Sequence, residues 1–137
     1  MIFPFLLDTC AAIWLVDDTL RPAAAEALAE SYRADRTTFV SPFTAWEVGL
    51  LAASGRFRST YPTEGWLKRV TSLPGIALAD LPARVLLDSW KLPGKLNRDP
   101  ADRIIAATAR EFGYTVMTRD RAMLSYAKQG HLSAFEC

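Results

Sequence analysis

Short apolar runs alternate along this chain with stretches of helical periodicity, and that alternation restricts the fold more than any other feature. Ile2–Leu7 is an apolar run closed by Asp8-Thr9, and Cys10–Val16 after it reads as helical. Pro22–Tyr32 carries Ala, Leu and Glu at helical spacing with Pro22 suited to a first helical position. Thr37–Val40 is β-branched and aromatic, hence a strand. Ser41-Pro42 then supplies an N-cap and a first-turn proline for a helix reaching about Ser54-Gly55. Further helices are expected over Thr63 to about Ser72, from Pro82 through about Trp90, from Asp99-Pro100 to Gly113, and over Asp120–Lys128. Strands are expected at Ile76–Leu81 and Tyr114–Met117, with an edge strand at Leu132–Phe135. Strands joined by helices imply a parallel sheet covered on both faces, an α/β fold with ligands beyond the carboxyl ends of the strands.

A chain of 137 residues fits a single domain, taken here as residues 1–137, and buries roughly two-thirds of its unfolded surface. Hydrophobic residues make up half of it, which excludes a disordered chain. Two cysteines, Cys10 and Cys137, form no disulfide framework, so a reducing cytoplasm is expected. Cys10 is a poor candidate nucleophile, because the one histidine, His131, stands far along the chain after Gly130. The apolar start MIFPFLLDTCAAIWLV resembles a leader, yet its first basic residue is Arg21. Asp8 in mid-span would cost about 2.5–3.5 kcal/mol in a membrane. A buried strand followed by a buried helix is the better reading, and no membrane partner is expected.

The chemistry lies in isolated acids. Asp8 is the only charge in the first sixteen residues, at the mouth of a buried strand where an unpaired carboxylate is costly. Its competing role is a helix N-cap. Glu47 is the sole charge in FVSPFTAWEVGLLAAS, on a helix with almost no polar face, where Phe43, Trp46 and Leu50 form one stripe. The alternative is a lone exposed glutamate. Asp99 and Asp102 fit a helix start equally well, the first as N-cap and the second in the first turn. The small apolar helix after them, Ile104 to Ala109, nevertheless fixes that start against the core. Asp120 also fits a cap. Thr118 is a strand residue or a hydroxyl that orients Asp120 or a metal-bound water, while Arg103 and Arg119 are surface residues with phosphate contact as the second reading.

Taken together, oxygen-rich carboxylates suit a hard cation such as Mg²⁺ or Mn²⁺. No His/Cys cluster suits zinc, and no glycine-rich loop cradles a nucleotide. Net charge is +1; with Asp8, Glu47, Asp102 and Asp120 neutralised by metal, 16 basic residues face 11 of the 15 acids, compatible with a phosphate-binding face.

The segments LLDTCAAIWLV, VSPFTAWEVGLL and NRDPADRIIAATAREFGYTVMTRDRAML, in that order, resemble PIN-domain ribonucleases, in particular VapC-type toxins whose third motif reads Asp-Pro-x-Asp-Arg. The resemblance implies a three-layer α/β/α fold and metal-dependent cleavage of RNA at an Mg²⁺ or Mn²⁺ site. It further implies a homodimer and a cognate antitoxin covering the cleft. Carried over by motif, Asp8, Glu47, Asp102 and Asp120 are the acidic set and Asp99 is accessory; Thr9, Thr118, Arg103 and Arg119 stand beside them as auxiliary candidates. Asn97 stands where many relatives carry a histidine. The alternative from another class is a catalytically inactive PIN-like module that binds RNA or protein, which would have lost the acids that stand here. A receiver-type signalling domain is disfavoured, since Leu7 and Thr9 flank Asp8 where that fold needs a second acid.

Overall fold

A computed structural model describes residues 2–137. The elements, in chain order, are β1 (Phe5–Leu7), α1 (Thr9–Val16), α2 (Pro22–Arg33), β2 (Thr38–Val40), α3 (Pro42–Ala53), α4 (Thr63–Ser72), β3 (Ile76–Leu78), α5 (Ala83–Asp88), α6 (Pro100–Phe112), β4 (Thr115–Thr118), α7 (Arg121–Lys128) and β5 (Ser133–Glu136). The sheet order is β3-β2-β1-β4-β5, with every pairing parallel. This is the expected α/β/α arrangement.

Strand β1 shows why the apolar runs become central strands. Phe5, Leu6 and Leu7 are all fully buried. Side chains alternate across a sheet, so Phe5 and Leu7 face the core built with α1, α2 and α4, including Ala12, Val16, Ala24 and Trp66. Leu6 faces the opposite core with Val116, Ile105 and Ala106 of α6, and Met123 and Tyr126 of α7. A strand buried on both faces has no polar alternation to show.

β1, β2 and β3 are shorter than the expected runs, whereas β4 keeps its expected length one residue later. Pro4 precedes β1 and can lend only its carbonyl, which Thr115 N–H takes at 2.9 Å. β3 closes at Leu78, after which Ala79 N–H makes one last bond to Val40 O. β5 runs one residue later than expected and pairs along β4 to Glu136. Helix boundaries follow their caps closely. Ser41 accepts from Phe43 N–H ahead of Pro42, and Gly113 ends α6 with φ of 75°, a left-handed conformation that favours glycine.

The chain runs from β1 outward through β2 and β3, then returns to the other side of β1 for β4 and β5. The order reverses between β2 and β4, and the crevice at such a reversal is where α/β sheets bind ligands. Asp8 directly follows β1, and Asp120 lies two residues past β4.

Candidate active site

The backbone at Asp8 leaves β1 and turns into α1, and its carboxylate serves both elements. One oxygen caps the helix, accepting Ala11 N–H at 2.8 Å; the other accepts the Thr118 hydroxyl of β4 at 2.5 Å. Asp8 is 8% exposed. Burial pushes its carboxyl above the ordinary range, and the nearby Asp120 charge adds to this, while the two hydrogen bonds and Arg119 oppose it. No salt bridge to Asp8 is present among the described residues.

Thr118 is the junction of β1 and β4. Its hydroxyl donates to Asp8 and accepts Asp120 N–H at 3.0 Å, while Asp120 caps α7 by accepting Met123 N–H at 2.9 Å. Thr118 is thus a strand residue whose hydroxyl also links the Asp8 carboxylate to the backbone at Asp120.

Glu47 projects from α3 toward α1. The Thr9 hydroxyl donates to its carboxylate, and the Thr9 and Thr44 hydroxyls lie 3.2 Å apart. Burial again raises its carboxyl, with repulsion from Asp99 and Asp8 acting in the same direction. Thr44 gave no sign of this in the sequence, being one hydroxyl among the apolar residues of α3.

At the start of α6 both aspartates take helix-start positions, and they differ in what surrounds them. Asp99 is the N-cap, accepting Ala101 N–H at 2.9 Å and Asp102 N–H at 3.3 Å through one oxygen. Asp102 accepts the Asn97 side-chain amide at 3.0 Å. Its carboxyl is pushed up to about 7, chiefly by burial and then by Asp120, Asp99 and Asp8, against the Asn97 bond. Asp99→Ala is expected to cost about 0.5–2 kcal/mol in a denaturant melt, with Asp99→Ser recovering most of it because serine also caps.

Arg103 and Arg119 are occupied by the protein itself. Arg103 donates to the carbonyls of Ser89, Leu96 and Asn97 at 2.8, 3.1 and 3.0 Å and stacks over Trp90. It thereby ties the segment between α5 and α6 to the helix, and with it the Asn97 that holds Asp102. Arg119 lies 4.0 Å over the Trp14 ring and donates to Cys137 O at 2.7 Å. In the sequence Asn97 stands out only as the place where many relatives carry a histidine, without a partner. Its one local sign is the Asn-x-Asp spacing, realised as a turn in which Asp99 N–H donates to Asn97 Oδ1 at 3.1 Å.

Asp8, Glu47, Asp99, Asp102 and Asp120 thus gather at the carboxyl edge of the sheet, close enough for their charges to help raise the proton affinities of Asp8, Glu47 and Asp102. Among the described residues no three His, Cys, Asp or Glu side chains converge on a single point as a closed cage would require. The donor set still fits Mg²⁺ or Mn²⁺, since such ions keep several waters and take one or two carboxylates directly. Cys10 offers no competing chemistry. Burial, then Asp8 and Glu47, raise its thiol to about 11, and His131 packs against Tyr126 instead.

The PIN domain profile matches residues 5–129. The chain is 30% identical over 121 residues to Ribonuclease VapC22 of Mycobacterium tuberculosis, covering 88% of this chain and 90% of the relative. Its fold is similar to that in the crystal structure of VapBC2 from Rickettsia felis bound to a promoter DNA fragment, with TM-score 0.69 and 14% identity over 96% of this chain and 97% of that one. It is also similar to FitAcB from Neisseria gonorrhoeae, with TM-score 0.54 and 22% identity over 96% of both chains. Strand order, the acids beyond β1 and β4, and the match across nearly the whole sequence agree: the chain belongs to the PIN-domain family.

Proposed function

We propose that this chain is a metal-dependent endoribonuclease, a single PIN domain over residues 1–137 acting as the toxin of a toxin–antitoxin pair. The observation that carries this reading is the buried Asp8 carboxylate, set among four further acids with no salt bridge of its own among the described residues. The folded state bears that electrostatic cost, and a bound cation offsets it.

In this reading Asp8 and Asp102 are the main metal ligands, Glu47 and Asp120 bind directly or through water, and Asp99 is accessory. Held by these residues, Mg²⁺ or Mn²⁺ would supply Lewis-acid chemistry: orientation of the scissile phosphate, a more acidic water and charge stabilisation in the transition state. The chain's own residues supply the alignment. Thr118 sets Asp8 and Asp120 against each other, Thr9 holds Glu47, and Asn97 holds Asp102. Protons compete for Asp8, Glu47 and Asp102, whose affinities for them are raised, so metal affinity falls as pH falls.

Two surfaces carry the partner part of the reading. Trp46 and Leu50 of α3, and Leu87 and Trp90 at α5, are exposed by 59, 47, 66 and 62%, a large apolar display for one chain and suited to a second copy. The antitoxin of this reading covers the cleft where Asp8, Glu47, Asp99, Asp102 and Asp120 gather. No helix among the described residues is long and apolar enough to cross a membrane.

Metal-stripped protein is expected to leave a labelled RNA intact in excess EDTA and to cleave it once Mg²⁺ or Mn²⁺ is restored. Undiminished cleavage by metal-free protein in EDTA sinks the mechanism.

A further inference from the structure

A second feature lies beyond the acids. A groove of about 1210 Å³ runs beside α7 and β5, and its lining includes Arg21, Arg119, Arg121 and Lys128 with Glu136 as the single acid. On α7, Arg121, Ser125 and Lys128 are spaced four and three residues apart, which places them on one helical face. Arg21, Arg121 and Lys128 are exposed, and neither of the salt bridges among the described residues, Arg33–Glu26 and Arg84–Glu111, involves them.

Helix stability does not account for two of these cations. Arg21 occupies the N-cap of α2 without any side-chain capping bond, and Arg121 is the first residue of α7. A helix N-terminus already carries partial positive charge, so an arginine there is unfavourable. Both positive helix ends and both arginines border the same groove, and Lys128 extends the charge along it. Such a field fits an anion with repeated charges.

The groove adjoins the acidic site through the two residues that flank Asp120. Asp120 stands between Arg119 and Arg121 in the chain, and Arg119 is held rigidly by Trp14 and Cys137 O. The buried Cys137 thiol, raised to about 11 by burial and then by Asp8, is pulled down by Arg119 and Arg21. The fields of the two regions therefore overlap at the C-terminal residue.

We propose that this groove is the track along which the RNA strand runs from the cleavage site, with Arg21, Arg121 and Lys128 each neutralising a backbone phosphate. The assignment rests on the ribonuclease reading for its ligand. Separation of sign supports it: carboxylates gather where a cation belongs, and unpaired cations line the adjoining path where phosphates would follow.

The test is the triple variant Arg21→Ala, Arg121→Ala, Lys128→Ala, assayed with a fluorescent single-stranded oligoribonucleotide across a KCl series. A second triple variant, Arg56→Ala, Arg58→Ala, Lys68→Ala, removes the same charge elsewhere. KM should rise at least tenfold in the groove variant while kcat stays within about twofold. Its log–log salt slope should flatten by about 2, because each phosphate of a single strand that is no longer neutralised removes roughly 0.7. The second variant should shift much less. An unchanged KM and slope, or equal changes in both variants, overturns the track. Competition by polyglutamate as strong as by unlabelled RNA overturns it too, and assigns the groove to an acidic polypeptide. Anisotropy of the same oligonucleotide without divalent metal separates the two readings. If the parent binds but never cleaves, loss of binding in the groove variant upholds the track while the ribonuclease reading fails. If the parent neither binds nor cleaves RNA, both fail.

Discussion

Asp8→Asn is expected to lower RNA cleavage by about a thousandfold or more, equivalent to roughly 4 kcal/mol of transition-state stabilisation, while leaving a folded and more stable metal-free protein. The amide keeps the shape and can still accept Ala11 N–H, so the start of α1 survives. It removes a buried charge that has no salt bridge among the described residues and that repels Asp120. The stability gain should depend on pH, with a sign set by the raised carboxyl. A folded state that holds its proton more tightly than the unfolded chain loses stability as pH rises from the unfolded value upward. The variant's advantage in metal-free melts should therefore be small near pH 4 and largest above neutrality. Loss of activity accompanied by an early melt at pH 7.5 makes Asp8 a structural residue instead.

Arg103→Ala should be the most disruptive change outside the acids, costing about 2–4 kcal/mol. Charge-assisted bonds contribute about 1.5–3 kcal/mol each, and non-additivity and partial exposure reduce their sum. Three carbonyls and the Trp90 ring lose their common partner at once. Arg103→Lys should recover little, because one ammonium cannot reproduce a planar fork. The effect should reach Asp102 through Asn97. Both variants, assayed below their melting temperatures, should bind Mn²⁺ more weakly than the parent. Melts within about 0.5 kcal/mol of the parent leave Arg103 no structural role.

The features legible from sequence were those whose causes are local. Ser41-Pro42 and Asp99-Pro100 announce helix starts because caps and first-turn prolines act within one turn, and Gly113 announces a stop for the same reason. The lengths of β1, β2 and β3 were overread, since pairing depends on where a neighbouring strand ends. The stripe of Phe43, Trp46 and Leu50 was visible as a pattern, but the exposure of Trp46 and Leu50 was not, because periodicity gives a face without saying what covers it. The aspartates were ambiguous in sequence for a physical reason. Asp8, Asp99 and Asp120 do cap helices, and the same geometry aims them at the sheet edge. Thr44 and Arg103 depend on partners far along the chain or on backbone carbonyls, neither of which leaves a spacing to read.

That double duty of the aspartates limits how such a sequence can drift once cleavage is no longer under selection. A chain that replaces them with alanine weakens three helix starts together, each by about 0.5–2 kcal/mol, a large share of the stability of an ordinary domain. Asparagine or serine keeps the caps while removing the charges that crowd the edge. Descendants that have abandoned nuclease chemistry should therefore carry Asn or Ser where this chain has Asp8, Asp99 and Asp120, and the spelling of those positions would record whether activity was lost before or after the fold began to decay.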